Sequence, residues 1–474
     1  MTFQHAGARA FAASVILLVP AVAAAQAEVV PDVIVPHWSA WIALILFGFG
    51  YLFVILEERT HLRKSIPMII AAGVLWTLVA MSPAGVRSAG FLHENIFEFA
   101  QLFLFILAAV SFVNTLEDRQ VFDVLRSWLI KRGLSLRGIF WATGAIAFCM
   151  SPIADNLTTT LVMGAVALSV GAQSPRFVVP ACINIVVAAN AGGAFSPFGD
   201  ITTLMVWQDG QVEFTEFFAL FVPSLVNWLI PAFIMSFAVP PDRPPAKEGR
   251  IALLPGARPV LVLFLSTIAG TVLLHQLFHL PPGLGMMTGF GALHLYGFLL
   301  SRKLRLKRLA DEGPAHMLGG FGHDDHAKED GFDVFTLLAR VEWDTLMFFY
   351  GVILCVGALH AFGFLDVSVN GLYGDVGPTT TNVSIGAASA IFDNIPLMAA
   401  ILAVSPEMNH AQWLLVTLTT GVGGSLLSVG SAAGVALMGQ ARGIYTFSAH
   451  LRWTWAVALG YAASIATHLA LNGR

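Results

Sequence analysis

Two Asp-Asn steps stand inside apolar sequence, and each is trailed by a glycine-rich break. The first is Ser151-Pro152-Ile153-Ala154-Asp155-Asn156-Leu157-Thr158-Thr159, followed by Asn190-Ala191-Gly192-Gly193-Ala194-Phe195-Ser196-Pro197-Phe198-Gly199-Asp200. The second is Ile391-Phe392-Asp393-Asn394-Ile395-Pro396, followed by Gly421-Val422-Gly423-Gly424-Ser425 and Ser428-Val429-Gly430-Ser431. Carboxylates and helix breakers are costly within a bilayer and mark functional sites there. In corresponding places of two halves they point to the binding site of a secondary transporter. The bulk composition agrees with a membrane setting. Of 474 residues, 57% are hydrophobic and only 11% charged, against roughly 25% charged in a soluble domain.

Apolar segments at 39–56, 66–82, 97–116, 177–207, 214–239, 259–279, 284–300, 342–361, 411–440 and 452–470 predict about ten spans. Regions 138–171 and 380–404 are broken near their middles by the Asp-Asn steps. Their arms read as too short to cross, which predicts two re-entrant hairpins. Counting from outside, the loops 57–65, 117–137, 172–176, 240–258, 301–341 and 441–452 hold 22 of the 25 Lys plus Arg. By the positive-inside rule these loops are cytoplasmic, and the mature N-terminus and the C-terminus are periplasmic in a bacterial inner membrane. Residues 1–27 read as a signal peptide, with Arg9 ahead of an apolar run and small residues at Ala23–Ala27. A first span with its cytoplasmic loop fills 28–65, and a linker with a connecting span fills 240–283. Between and after them, 66–239 and 284–470 read as one unit repeated with inverted topology, each with a hairpin and a broken helix (177–207 and 411–440). The expected fold is therefore an all-α polytopic membrane protein. Cys149, Cys182 and Cys355 lie in apolar stretches and read as buried thiols outside any disulfide framework.

A small hard cation stripped of water needs oxygen ligands and a negative charge. The first half offers Asp155, Asn156, Thr158 and Thr159 at the hairpin, then Asn190, Ser196, Asp200, Thr202 and Thr203 at the break. The second adds Ser389, Asp393, Asn394, Ser425, Ser428 and Ser431. Glycines 192, 193, 199, 423, 424 and 430 serve as hinges where the backbone unwinds and frees carbonyls. Asp155 and Asp200 are the expected shared carboxylates, with Asn156 and Asn190 beside them on the cation. The same oxygens carry protons if burial favours their neutral form, since an isolated Asp titrates near ~3.9. Plainer roles exist for each element. Asn and Ser cap half-helices, and paired glycines pack helices closely. Asp393 serves equally to orient its hairpin. Glu98, Glu342 and Asp344 lie at helix entrances, where capping and an accessory role compete. His93 and His294 are pH-sensing or structural. His323-Asp324-Asp325-His326 fits no structural zinc spacing.

At these residues the chain resembles the NhaD-type sodium/proton antiporters of the ion transporter superfamily. The matching stretches are SPIADNLTTT, NAGGAFSPFGDITTLMVWQ, FDNIPLMAA and GVGGSLLSVGSAAGVALMGQ. The resemblance implies exchange of Na⁺ or Li⁺ for H⁺ with no cofactor and no nucleic-acid partner. It also implies a homodimer in which transport domains move against a fixed scaffold. Carboxylate transporters of that superfamily carry Ser-Asn-Thr at each hairpin, whereas here the steps read Asp155-Asn156-Leu157-Thr158 and Asp393-Asn394-Ile395-Pro396. An acid there favours a cation and repels a carboxylate. Two other readings stand beside antiport. One is a Na⁺- or H⁺-coupled symporter of citrate or another organic anion, although neither motif contains Arg or Lys. The other is an intramembrane aspartyl protease, to whose sites Phe198-Gly199-Asp200 is weakly similar, although its dyad chemistry leaves the duplicated hairpins without a role.

Overall fold

The structure is a computed structural model that describes residues 38–60, 62–82, 85–171, 174–243, 252–312, 341, 343–428, 430–441 and 443–473. The signal-like segment 1–27, Glu342 and the His323–His326 run fall outside these residues. Among the described residues the secondary structure is helical throughout. The helices used below are α1 Trp38–Ile55, α2 Ser65–Ala80, α3 Gly85–Asp118, α4 Val121–Lys131, α5 Leu136–Ala154, α6 Asn156–Gly171, α7 Pro175–Gly193, α8 Ile201–Gln208, α9 Phe221–Ser236, α10 Ala257–Phe278 and α11 Pro282–Glu312. They continue as α12 Trp343–Ala361, α13 Phe364–Asp375, α14 Pro378–Ala388, α15 Asn394–Val404, α16 His410–Gly423, α17 Ala432–Gln440, α18 Phe447–Leu451 and α19 Thr454–Asn472. Among the described residues 8 helices are long and apolar enough to cross a membrane.

The chain divides into two compact units. One comprises the described parts of Met1–Phe99, Ser135–Pro244 and Trp343–Arg474; the other comprises Ala100–Leu134 and Pro245–Glu342. In the second unit α10 packs on α11, with Thr271 and Thr267 seated on Gly285 and Gly289. Small residues at such a contact let two backbones approach closely. Phe112 stacks on Phe264 with ring centroids 4.9 Å apart.

In the first unit α7 is the central rod, its residues buried along nearly the whole length. Helices α5, α6, α9, α16 and α17 all pack against it. Helix α9 lies along α19, and α12 lies along α2, where the Trp76 indole N–H donates to the Leu354 carbonyl at 2.8 Å. Helix α14 packs on α16, and α15 packs on α12, α13 and α8.

Two expectations need correction. The first arm of the 138–171 region is a 19-residue helix that meets the length and composition of a span by itself. The sequence reading took both arms as too short to cross because the Asp155-Asn156 step breaks the region near its middle. In the structure Pro152 sits in the last turn, where the helix tolerates it. Helix α6 nevertheless packs beside α5, so the chain folds back at Asp155. Second, Cys149 is exposed on the outer face of α5, while Cys182 and Cys355 are buried. A face turned to lipid is as apolar as a packed one, so hydropathy did not separate them.

Candidate functional site

The site is built where helices are interrupted. Pro152 lacks the N–H that would have bonded the Phe148 carbonyl, and α7 approaches that carbonyl at Gly192, where a Cβ would collide with it. In the second half Ala390 bonds back to Ala387 at 3.2 Å, a tightened turn, and Gly423 approaches the Gly386 carbonyl in the same way. Gly193 backs onto Gly199, and Gly424 onto Gly430. Gly192, Gly193, Gly199, Gly423 and Gly424 are not among the positive-φ glycines of the described residues. At these breaks the glycines let backbones approach closely. The left-handed half of the map is used instead by two non-glycines, Asp155 (φ 55, ψ 163) and Ser428 (φ 58). Such backbones are strained by about 1–3 kcal/mol and persist only where their surroundings hold them.

After each break a new helix begins, and four of these beginnings meet. Asp200 is the N-cap of α8, accepting the Thr202 N–H at 3.2 Å, and Ser431 is the N-cap of α17. Asn156 and Asn394 are the first residues of α6 and α15. The Asn156 amide donates to Asp200 Oδ2 at 2.9 Å and to Asn190 Oδ1 at 3.2 Å. The Asn394 amide lies 3.2 Å from the same Asp200 oxygen and 3.4 Å from the other. The Asn190 amide donates to Ser425 Oγ at 2.8 Å and Ser431 Oγ at 3.0 Å. Asp200 is 6% exposed and Asn190 1%, whereas Asn156 and Asn394 are half-buried. Helix N-termini carry partial positive charge and favour an anion. Here the chain's own carboxylate occupies that anion position, as it would in its ionised state with two amide N–H groups on it.

The remaining predicted residues support this cluster or lie away from it. Both Asp155 oxygens accept from Thr158, one from its N–H and one from its hydroxyl, each at 2.8 Å, so this carboxylate caps α6. Ser196 holds the Pro152 carbonyl at 2.9 Å, tying the α7–α8 break to the end of α5, and Ser389 holds the Thr420 carbonyl at 3.1 Å, tying the end of α14 to α16. Asp393 precedes α15 and gives its N–H to the Tyr51 hydroxyl at 3.0 Å. Its charge is within electrostatic reach of Asp200 and of Lys64. Ser428 points into a separate buried group with Tyr445 and His450, away from the Asp200 cluster. Asp344 accepts from Ser65 at the start of α12. His93 and Glu98 are exposed on α3, and His294 lies in the other unit against Phe290. Tyr51, Tyr445 and His450 were missed. Tyr51 lies in a span that carries no motif, and the latter two in a segment read as a cytoplasmic loop. Only their spacing after the second break offered a signal, and that spacing follows no periodic rule.

A helical membrane protein whose broken helices bring their ends to one buried polar cluster is built as a secondary transporter. The profile of the citrate transporter family CitMHS matches residues 51–421. The Na⁺/H⁺ antiporter NhaD of Alkalimonas amylolytica is 50% identical over 91% of this chain and 90% of its own length. The protein of the same name from Vibrio cholerae is 49% identical over 91% of both chains. Sodium/proton antiporter 1 of Arabidopsis thaliana is 30% identical over 90% of this chain and 72% of its own. The chain belongs to the NhaD family of Na⁺/H⁺ antiporters within that superfamily.

Proposed function

We propose that this protein exchanges cytoplasmic Na⁺, with Li⁺ as an alternative substrate, for external H⁺ by alternating access, and that Asp200 is the carboxylate both ions share. The observation that carries the reading is the Asp200 carboxylate on the amides of Asn156 and Asn394 where four helices begin. When Asp200 is ionised, the side-chain oxygen of Asn190, held by Ser425 and Ser431, and those of Asn156 and Asn394 once their amides turn, supply a neutral oxygen shell around one negative charge. That set suits a small monovalent cation. When Asp200 takes a proton, the charge that holds the cation is gone. Asp155, adjacent to Asn156, adds a second carboxylate whose field favours cation entry.

The citrate reading is supported by the family profile's name, but the site argues for a cation. An organic anion would want the helix N-termini for itself, and Asp200 already fills that position. Among the described residues no Arg or Lys hydrogen-bonds to the cluster. Protease chemistry needs two carboxylates on one water, whereas here Asp155 accepts from Thr158 and Asp200 from Asn156 and Asn394. The halves 66–239 and 284–470 are read as inverted repeats with re-entrant hairpins at 138–171 and 380–404. The assembly is read as a homodimer in a bacterial inner membrane with both termini periplasmic. Inside-acid proteoliposomes test the function. Their pH gradient should collapse on adding Na⁺ and persist on adding citrate. Collapse on citrate and not on Na⁺ would replace antiport with the symporter reading.

A further inference from the structure

The second break carries a buried polar group that the transport cycle above leaves unused. Helix α16 stops at Gly423, continues as one 3-10 turn over Gly424–Leu426, and reverses through Ser428. Ending a helix frees carbonyls, and buried carbonyls must find donors. Those of Ser425 and Leu426 both face His450 Nε2 at 3.1 Å. A carbonyl only accepts, so Nε2 carries the hydrogen and, in the neutral ring, Nδ1 is an acceptor. Nδ1 lies 2.9 Å from the Ser428 hydroxyl and 2.9 Å from the Tyr445 hydroxyl, and those two hydroxyls are 2.8 Å apart. Thr454 Oγ1 adds a second donor to the Leu426 carbonyl at 3.0 Å. His450, Tyr445, Ser428 and Ser425 are all buried. The imidazole thus ties the 3-10 turn to the segment that leads into α19.

On its other side the same turn presents Ser425 Oγ to the Asn190 amide at 2.8 Å. Asn190 spends its N–H₂ on Ser425 and Ser431, which directs its Oδ1 toward Asn156 and so toward Asp200. A slack turn would release that amide to flip and offer N–H groups where a cation needs oxygen. We propose that His450 is a positioning residue for the cation site: its Nε2–H holds the Gly424–Leu426 turn so that Ser425 keeps Asn190 oxygen-first toward the site. The proposal rests on the reading of the Asp200 cluster as that site. It also removes the Leu426 carbonyl from the ligand shell, because His450 and Thr454 already fill its two lone pairs.

The test is a Na⁺ titration of exchange in proteoliposomes for His450→Gln, His450→Asn, His450→Ala and Ser425→Ala, with Asp200→Asn as reference. Glutamine carries an amide N–H at the reach of Nε2, whereas asparagine is too short and alanine has no donor. His450→Gln should stay within about twofold of the parent KM, and His450→Asn and His450→Ala should raise KM about tenfold with the maximal rate retained, the cost of one buried unpaired acceptor. Ser425→Ala should raise KM in the same sense, and it serves if the His450 variants fail to fold. A histidine that only supports folding would lower protein yield and maximal rate with KM unchanged, and that result overturns the proposal. So does a glutamine variant as defective as alanine. Unchanged KM in all four beside an inactive Asp200→Asn overturns the role of His450 and leaves the site reading standing. An active Asp200→Asn overturns the site reading itself.

Discussion

The two breaks share a skeleton and differ in charge. Ser151 and Ser389 each tie the hairpin to the helix beside it, reaching the Ala189 and Thr420 carbonyls. Gly192 and Gly423 each admit a freed carbonyl, and the pairs Gly193–Gly199 and Gly424–Gly430 close in the same manner. The chemistry laid on this frame is not duplicated. The N-cap of the new helix is Asp200 in the first half and Ser431 in the second. The residue three before the paired glycine is Asn190 in one and Gly421 in the other. Asp155 holds a strained backbone, whereas Asp393 sits at φ −58 and ψ 141, which any residue adopts. Asp393 also has Lys64 within electrostatic reach. Two similar backbone frames thus carry unlike chemistry: the carboxylate N-cap Asp200 in one and the neutral Ser431 in the other. One carboxylate at the centre matches one monovalent cation.

The largest effect that can break this comparison is Asp200→Asn against Ser431→Ala. The first should abolish Na⁺-driven proton flux in vesicles while the protein still folds, because the amide is isosteric but uncharged. The second should only raise the Na⁺ KM. Equal loss from both would mean that the halves contribute alike. Next come the two acids at the hairpins. Asp155→Asn should slow exchange more than Asp393→Asn, since Asp155 adjoins Asn156 and Asp393 is screened by Lys64; the reverse order would shift the charged centre toward the second half. Third, Asn156→Ala and Asn394→Ala should each raise KM about tenfold, with Asn156 the more severe because it joins Asp200 to Asn190. Initial-rate titrations with Na⁺ separate the two. The smallest effect is expected for Tyr51→Phe, about two- to fivefold in KM, since one neutral hydrogen bond to the Asp393 N–H is lost. A larger effect there would make the second hairpin more than a support.

Much of this was legible in the sequence, and the reasons are physical. Asn156, Asn190, Asp200, Asn394 and Ser431 stand out because polar residues beside glycines are rare in apolar runs. The helix that ends at Asp155 and the one that begins after Asp393 follow from the same pattern. What escaped was orientation. Sequence cannot say that Asp155 turns both oxygens onto Thr158, because that depends on a single strained φ. Nor can it say that Ser428 turns away from Ser431, three residues on, toward His450. Tyr445 and His450 lie beside two arginines, Arg442 and Arg452, and that charge made the segment read as a solvated loop. Their burial is a tertiary fact. The length of α5 was missed because the region was started at residue 138 and halved at the Asp-Asn step, whereas the helix begins at Leu136 and runs 19 residues to Ala154.

The central claim is that protons and Na⁺ compete at Asp200. As pH falls, a proton occupies the carboxylate more often and the cation loses its only direct negative ligand, so apparent Na⁺ affinity must fall. Asp393 couples to Asp200 through space, so the titration belongs to the pair and can show two steps. The direct measurement is the apparent Na⁺ KM of exchange in proteoliposomes between about pH 6 and 9, the interval in which a buried carboxylate can serve as a proton carrier. The account predicts a KM that rises steadily toward the acid end at constant maximal rate. A KM that does not change with pH would contradict it.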